Sequence, residues 1–460
     1  MEIQSETMEI QTYEVMGSLS LPDEEMGFVS NEEMARFQLE TMESLPDAVL
    51  QEILTHIKNS EDIAACNCVS KRWNQASPFI PSLYFPRSIF DRVKSTVHPD
   101  TVISRMIYNV KLLQELIIYC PFSSTGLFSW LSATNRSLRY LELKMDSLVD
   151  KGTPPNPSKL DCIEAAKSLE SLKLWGVLIM DSPKWSVFEK ICVLEIVGAK
   201  VKDDAISDAI KACPNLNELL LLACDGVQSI SIDLQRLEKC RLDFHGAGNC
   251  SLTLKTPNLQ SLDVQGCSFI QVQDTHRLSK LSISNISGRV NIADFGKLGA
   301  LKFLSIRGVQ WSWVAVNSIL RSATEVKHLF MKIEFTGDSS YQLQPFPEVD
   351  FVEFFNYHPN LLSFEIHGAM FAALSHRNSL RNVDSRFVIP CLENVVITVR
   401  SPLNAEQKMN TLETLVKYGK NLKSVAIKIL QMKTSHSSSD DFFEEICRFK
   451  YMNQKLVRIE

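Results

Sequence analysis

VKDDAISDAIKACPNLNELLLLAC, residues 201–224, decides how this chain folds. Asp203 and Asp204 open it, and Ile206 and Ile210 follow one helical turn apart, which predicts a short helix with one apolar face and an aspartate cap. The chain then passes Cys213-Pro214 and reaches Leu216, Leu219, Leu221 and Cys224. That second half is a phrase: apolar, two variable residues, apolar, one variable residue, apolar. It returns as Leu138-Arg-Tyr-Leu141-Glu-Leu143, Leu169-Glu-Ser-Leu172-Lys-Leu174 and Leu259-Gln-Ser-Leu262-Asp-Val264. Further copies are Leu278-Ser-Lys-Leu281-Ser-Ile283 and Leu301-Lys-Phe-Leu304-Ser-Ile306, with weaker ones at Val326, Leu361, Leu392 and Leu422.

The copies recur roughly every 20 to 30 residues, which is the leucine-rich-repeat period. The unit at 201–224 resembles the cysteine-containing repeat subtype. One repeat cannot bury its own apolar face, whereas stacked neighbours build a continuous core. The expected class is therefore α/β: an N-terminal three-helix module, then a leucine-rich-repeat solenoid with a curved parallel sheet and a helical or irregular convex side. Each strand directs two apolar residues inward and their neighbours to the concave surface. That rule predicts Tyr140, Glu142, Lys173, Trp175, Lys239, Arg241, Asp263, Arg307, Phe330, Lys332, Glu365 and His367 on the concave face. Between about 216 and 310 the return paths are too short for a helix, so an extended or irregular convex side is expected there. The longer spacings after 326 leave room for helices, one carrying Phe351, Phe354 and Phe355. Residues 433–441 read as a loop, and 442–460 as a cap ending in a strand near Leu456 to Ile459.

The chain has 460 residues, 45% hydrophobic and 22% charged, ordinary for a globular protein with a large core and a small second module. A net charge of −6 gives no footprint for nucleic acid. No apolar run approaches the roughly 20 residues a membrane helix needs. The twelve cysteines are scattered through apolar segments, one per repeat, and read as small buried side chains in a reducing compartment. Residues 1–43 hold eleven acids against the single base Arg36 and read as a disordered acidic extension.

LPDAVLQEILTHIKNSEDIAACNCVSKRW, residues 45–73, reads as three short helices. Pro46 suits a helix start, and Leu50, Ile53, Leu54 and Ile57 share one face. Ser60 is expected to cap the second helix, and Ser70 the third, which carries Trp73. So small a module leaves an apolar face for a partner. The segment resembles an F-box, which docks a protein on the Skp-type adaptor of a cullin–RING ubiquitin ligase. With the repeats, the chain from Leu45 onward resembles the plant-type F-box/leucine-rich-repeat family. The implied organisation is an F-box at 44–80, a linker or first-repeat cap at 81–110, the solenoid at 111–441 and a C-terminal cap at 442–460.

The resemblance implies a non-catalytic substrate receptor of a Skp–cullin–F-box ligase, located in the nucleus, the cytoplasm or both. Leu45, Pro46, Leu50, Ile53, Leu54, Ile57, Val69 and Trp73 would form the core and adaptor-facing surface of the F-box. Trp175, Arg241, Arg307, Phe330 and Lys332 are the candidate target anchors, because aromatic residues and arginine dominate interface hot spots. Two other readings share this architecture. One is a hormone-type co-receptor, with Lys239, Arg241, Arg307 and Lys332 on a small acidic ligand and Trp175 and Phe330 as apolar contacts. The other is a repeat scaffold independent of any ligase. Walker, dinucleotide-binding, zinc-protease and Gly-x-Ser-x-Gly patterns are absent, and no cofactor or metal site is expected.

Overall fold

The computed structural model describes residues 45–88, 90, 98–145, 158–245, 250–285, 290–335, 347–430 and 438–460. The acidic extension and residues 433–437 of the expected loop lie outside them. The chain divides into two compact units, one ending at Leu50 and the other spanning Gln51–Glu460. In the first, the carbonyl of Pro46 accepts from Val49 N and Leu50 N, which opens helix α1, Asp47–Thr55.

The second unit is a stack of coils. Each repeat phrase forms a short strand, and each strand pairs in parallel with the next. Fourteen successive pairings join fifteen repeat strands, from Ser82–Phe85 to Val457–Ile459. The short strands Leu178–Ile179 and Lys200–Val201 lie beside them, completing a 17-stranded sheet. Register is kept from coil to coil: Leu262 pairs with Cys240 on one side and Leu281 on the other. Leu141, Leu172, Leu219, Leu262, Leu281 and Leu304 are all fully buried, as the phrase requires.

The return paths follow the predicted division. Ser229–Asp233, Cys250–Lys255, Cys267–Gln273 and Asn291–Asp294 form a second parallel sheet of four strands where spacing excludes helices. The turn from one sheet to the other needs glycine at Gly266. It sits at φ +84, and a Cβ there would overlap the carbonyl oxygen of Phe244 in the preceding coil. In most other coils helices return the chain, among them Asp203–Lys211, Trp313–Ser322 and Phe351–Tyr357 with Phe351, Phe354 and Phe355 buried; the path from Trp175 to Val193 has no helix. Side-chain amides seal successive coils: Asn215 Nδ2 donates to Glu189 O at 2.8 Å and Asn258 Nδ2 to Gln235 O at 2.7 Å.

Several local expectations need correction. Asp203 does not cap its helix. Lys202 is the N-cap, and the Asp203 carboxylate instead accepts from Gln228 N and Ser229 N of the next coil at 2.9 and 2.8 Å. Helix α2, Ser60–Val69, is capped by Asn59, whose side chain accepts from Glu61 N at 3.1 Å, so Ser60 lies inside it. Ser70 does precede helix α3, Lys71–Ala76, but makes no side-chain cap bond. The first repeat strand, Ser82–Phe85, falls within the stretch read as a linker or first-repeat cap. The C-terminal helix starts at Ser438, inside the expected loop, and Val457–Ile459 then adds the last strand of the sheet.

Replacing Leu262 with alanine should destabilise the protein by about 2–5 kcal/mol through lost buried volume. Coils contact only their neighbours, so amide exchange should accelerate mainly between residues 237 and 306. Uniform acceleration along the whole chain would contradict a stack with local stability.

Candidate functional site

Strand register arranges the outward side chains in rows. The central row runs Glu142, Lys173, Glu195, Leu220, Arg241, Asp263, Ser282, Ser305, Phe330, Glu365. These positions alternate with buried leucines, isoleucines and valines because the side-chain period of a strand is two. A parallel row carries Ser284, Arg307 and Lys332.

At one end of this surface an aromatic cluster surrounds Glu142, which is only 6% exposed. Tyr119 Oη donates to its Oε1 at 2.5 Å, Tyr140 Oη to Oε2 at 2.5 Å, and the Trp175 indole to Oε1 at 2.6 Å. Lys173 lies between Glu142 at 4.0 Å and Glu195 at 3.2 Å, with its ammonium 4.7 Å from the Trp175 ring centre. Tyr84 stacks edge-on against Tyr119. Burial works against ionisation of Glu142, but the two phenols, the indole and Lys173 outweigh it and hold its carboxyl below the ordinary 4.5. Burial, and then the bond to Glu142, raise both Tyr119 and Tyr140. Trp175 is thus committed to Glu142.

The other proposed anchors are not gathered around Trp175. Six strands separate its strand from that of Phe330, seven spacings or about 34 Å at ~4.8 Å each. Arg241 is exposed and faces Asp263 at 3.7 Å, and Lys239 has Glu218 at 3.5 Å. Arg307 and Lys332 differ. They are direct register partners on adjacent strands, and among the described residues neither has a carboxylate within ion-pair reach. Arg307 Nη2 donates only a long bond to Ser282 Oγ, 3.4 Å, and its buried Nε has no acceptor. Phe330 is half-buried and meets His367 edge-on at 5.5 Å, with Glu365 3.4 Å from the imidazole. Burial lowers the His367 pKa; Glu365 opposes this, and Lys332 and Arg400 add to it. The structure therefore brings together Arg307, Phe330 and Lys332, and leaves Arg241 and Trp175 elsewhere on the sheet.

In the helical segment, burial separates roles that sequence periodicity had merged. Leu50, Leu54 and Trp73 are buried, as are Ile63 and Ala76. Pro46 and Val69 are exposed, while Leu45, Ile53 and Ile57 are half-buried. Val49, at 42% exposure, is an apolar surface residue that the helical stripe did not include. The segment is joined to the first coil: Tyr84 N donates to Lys58 O at 2.7 Å, and Lys58 Nζ reaches Glu115 at 2.8 Å.

All twelve cysteines are free. Burial pushes Cys213 and Cys240 up to about 12 and Cys224 to about 11, which suits packing and not nucleophilic attack. Among the described residues no group of three or more His, Cys, Asp or Glu could hold a metal ion, and no helix is long and apolar enough to cross a membrane.

A docking helical segment fused to a stack of leucine-rich coils defines a class of recruiting protein, and comparison with known proteins gives its family. A model of the F-box-like family matches residues 42–85. F-box protein At1g10780 of Arabidopsis thaliana is 57% identical over 420 residues, 91% of this chain and 100% of the relative. From the same plant, the F-box/FBD/LRR-repeat protein At5g56420 is 22% identical over 49% of this chain and 54% of its own length. The putative F-box/LRR-repeat protein At5g02930 is 23% identical over 64% and 61% respectively. The chain belongs to the plant F-box/leucine-rich-repeat proteins. Its F-box makes it, in general terms, an adaptor-binding substrate receptor of ligases of the Skp–cullin–F-box type.

The Glu142 cluster yields a pH test. A carboxylate whose folded-state pKa is depressed contributes stability above its ordinary value, near 4.5, and loses it as pH falls through the lower folded value. Glu142→Gln should therefore cost about 1–3 kcal/mol near neutral pH. The gap between wild type and variant, read from urea midpoints, should narrow as pH is lowered below 4.5. A gap independent of pH would show that the charge on Glu142 is not what the cluster stabilises.

Proposed function

We propose that this chain is the non-catalytic target-binding subunit of a Skp–cullin–F-box ubiquitin ligase, working in the nucleus or cytoplasm. The adaptor is held through Val69 and the half-buried Ile53 and Ile57, while Leu54 and Trp73 maintain the module. Through the adaptor the chain reaches the cullin and RING subunits. A target protein is recruited on the concave strands at Arg307, Phe330 and Lys332. The observation that carries this assignment is the cation pair Arg307–Lys332, side by side beside a half-buried aromatic ring and without a neutralising acid among the described residues. Like charges directly opposite on adjacent strands are unfavourable, and an acidic target segment would relieve the repulsion while Phe330 supplies apolar contact. The receptor contributes no reacting group: it raises the effective concentration of the target near the charged conjugating enzyme.

Two variants separate the two ends. Val69 is 51% exposed, so Val69→Glu should leave the fold intact. It should weaken adaptor binding by about 30-fold or more, the effect of losing roughly 2 kcal/mol at an interface anchor. Unchanged affinity in surface plasmon resonance would remove Val69 from the adaptor face. Changing Arg307 and Lys332 together to glutamate should abolish target capture under proteasome inhibition and preserve adaptor capture. If the double variant recovers the same targets, the recruiting surface lies on other strands. Point variants are preferable to deleting the segment, because removing residues 45–73 would also strip Lys58 from the first strand.

A further inference from the structure

We propose that a cavity at the carboxyl ends of the strands Phe303–Trp311, His328–Phe335 and Asn394–Val399 binds a small amphipathic monocarboxylate, with Lys408 as its charge partner. The cavity encloses about 410 Å³, within the range of small-molecule sites. Phe371, Val399 and Leu403 give it apolar walls, and Arg400, Glu334 and Lys408 supply its charges.

Lys408 carries the argument. It sits on the helix Ala405–Tyr418 and is only 6% exposed. Its Nζ donates to Ser401 O and Leu403 O, each at 2.7 Å, and among the described residues no carboxylate lies within ion-pair reach. The nearest aromatic compensation, Phe442, is 5.9 Å away. Two neutral carbonyls do not offset the desolvation of an ammonium group, which is why buried lysines ordinarily acquire a counter-charge. Burial accordingly pushes the Lys408 pKa down to about 8. Arg400, by contrast, is already neutralised by Glu334 at 2.5 Å. The lining thus holds one uncompensated positive charge against apolar walls, a match for one negative charge on an apolar body. Glu334 disfavours multiply charged anions such as phosphate esters. A carboxylate beside Lys408 stabilises the ammonium form, so binding should draw in a proton when the pH exceeds about 8.

This inference stands apart from the ligase reading, since its test needs neither adaptor nor target. The full chain is titrated calorimetrically with octanoate and with octanamide, a neutral compound of the same shape. Octanoate should bind at least about tenfold more tightly than octanamide. Lys408→Met should erase that preference, and Ala372→Leu, which fills the cavity and leaves Lys408 in place, should weaken both compounds. Titrations slightly above pH 8, in buffers of different ionisation enthalpy, should show proton uptake by wild type. If Lys408→Met does not fold, the Ala372→Leu variant and the wild-type proton uptake decide. The proposal is overturned by equal affinity for the two compounds, by no binding of octanoate at millimolar concentration, by a preference that survives Lys408→Met, by wild-type binding in Ala372→Leu, or by binding without proton uptake.

Discussion

The stacking of one coil's inward apolar side chains on those of the next is the interaction on which the rest of this protein depends. Leu172, Leu194, Leu219, Cys240, Leu262, Leu281 and Leu304 follow one another strand by strand in continuous register. Each is buried because its neighbours on both sides are present, so no coil holds its conformation alone. A slip of one residue would turn the whole apolar set outward. The core therefore fixes the register, and the register in turn fixes which side chains become neighbours on the opposite face.

That second consequence shapes the electrostatics of the concave side. Where adjacent strands present charges, most meet their opposites: Glu142, Lys173 and Glu195 in sequence, Glu218 with Lys239, and Arg241 with Asp263. These pairs are partly exposed and add little stability each, but they set every one of those cations beside an acid. Beyond Ser282 and Ser305 the pattern breaks at Arg307 and Lys332. A local cost without internal compensation is the ground on which the target is proposed to bind there. The same logic singles out Lys408, whose charge is held by carbonyls alone.

The strands and their buried residues were legible in the sequence because a repeated phrase reports period and burial together. The extended convex side between 216 and 310 was legible from spacing alone, since too few residues remain for a helix. Caps were harder. Asp203 and Ser60 had the right chemistry in the right place, yet Asp203 is drawn to the backbone of the next coil and Asn59 takes the capping role. Local propensity loses when a neighbouring coil offers unpaired N–H groups. The spread of the candidate anchors along the sheet was hidden for a different reason. Outward orientation follows from periodicity, but distance depends on how many strands intervene, and six stand between Trp175 and Phe330. Tyr119, just past its strand, carried no signal of its bond to Glu142. Lys408 reads as one polar residue of an amphipathic helix; only the preceding loop, whose carbonyls fold over it, makes it a buried charge.

The joint between the helical segment and the first coil gives the two ends of the chain's task a mechanical relation. Lys58 O accepts the amide of Tyr84, and Asn59, which caps α2, bridges to the same strand residue. The strand Ser82–Phe85 then pairs along its length with Glu115–Ile118. The backbone hydrogen bond and the bridge tie the start of α2 directly to the first coil. For the non-catalytic receptor proposed above, that matters more than affinity. Effective concentration at a distant reacting centre falls steeply when the connection is loose, and is retained when each joint between the grips is fixed. A stack of coils in continuous register, started by a strand that the docking segment itself helps to pin, is a physical means of keeping it so.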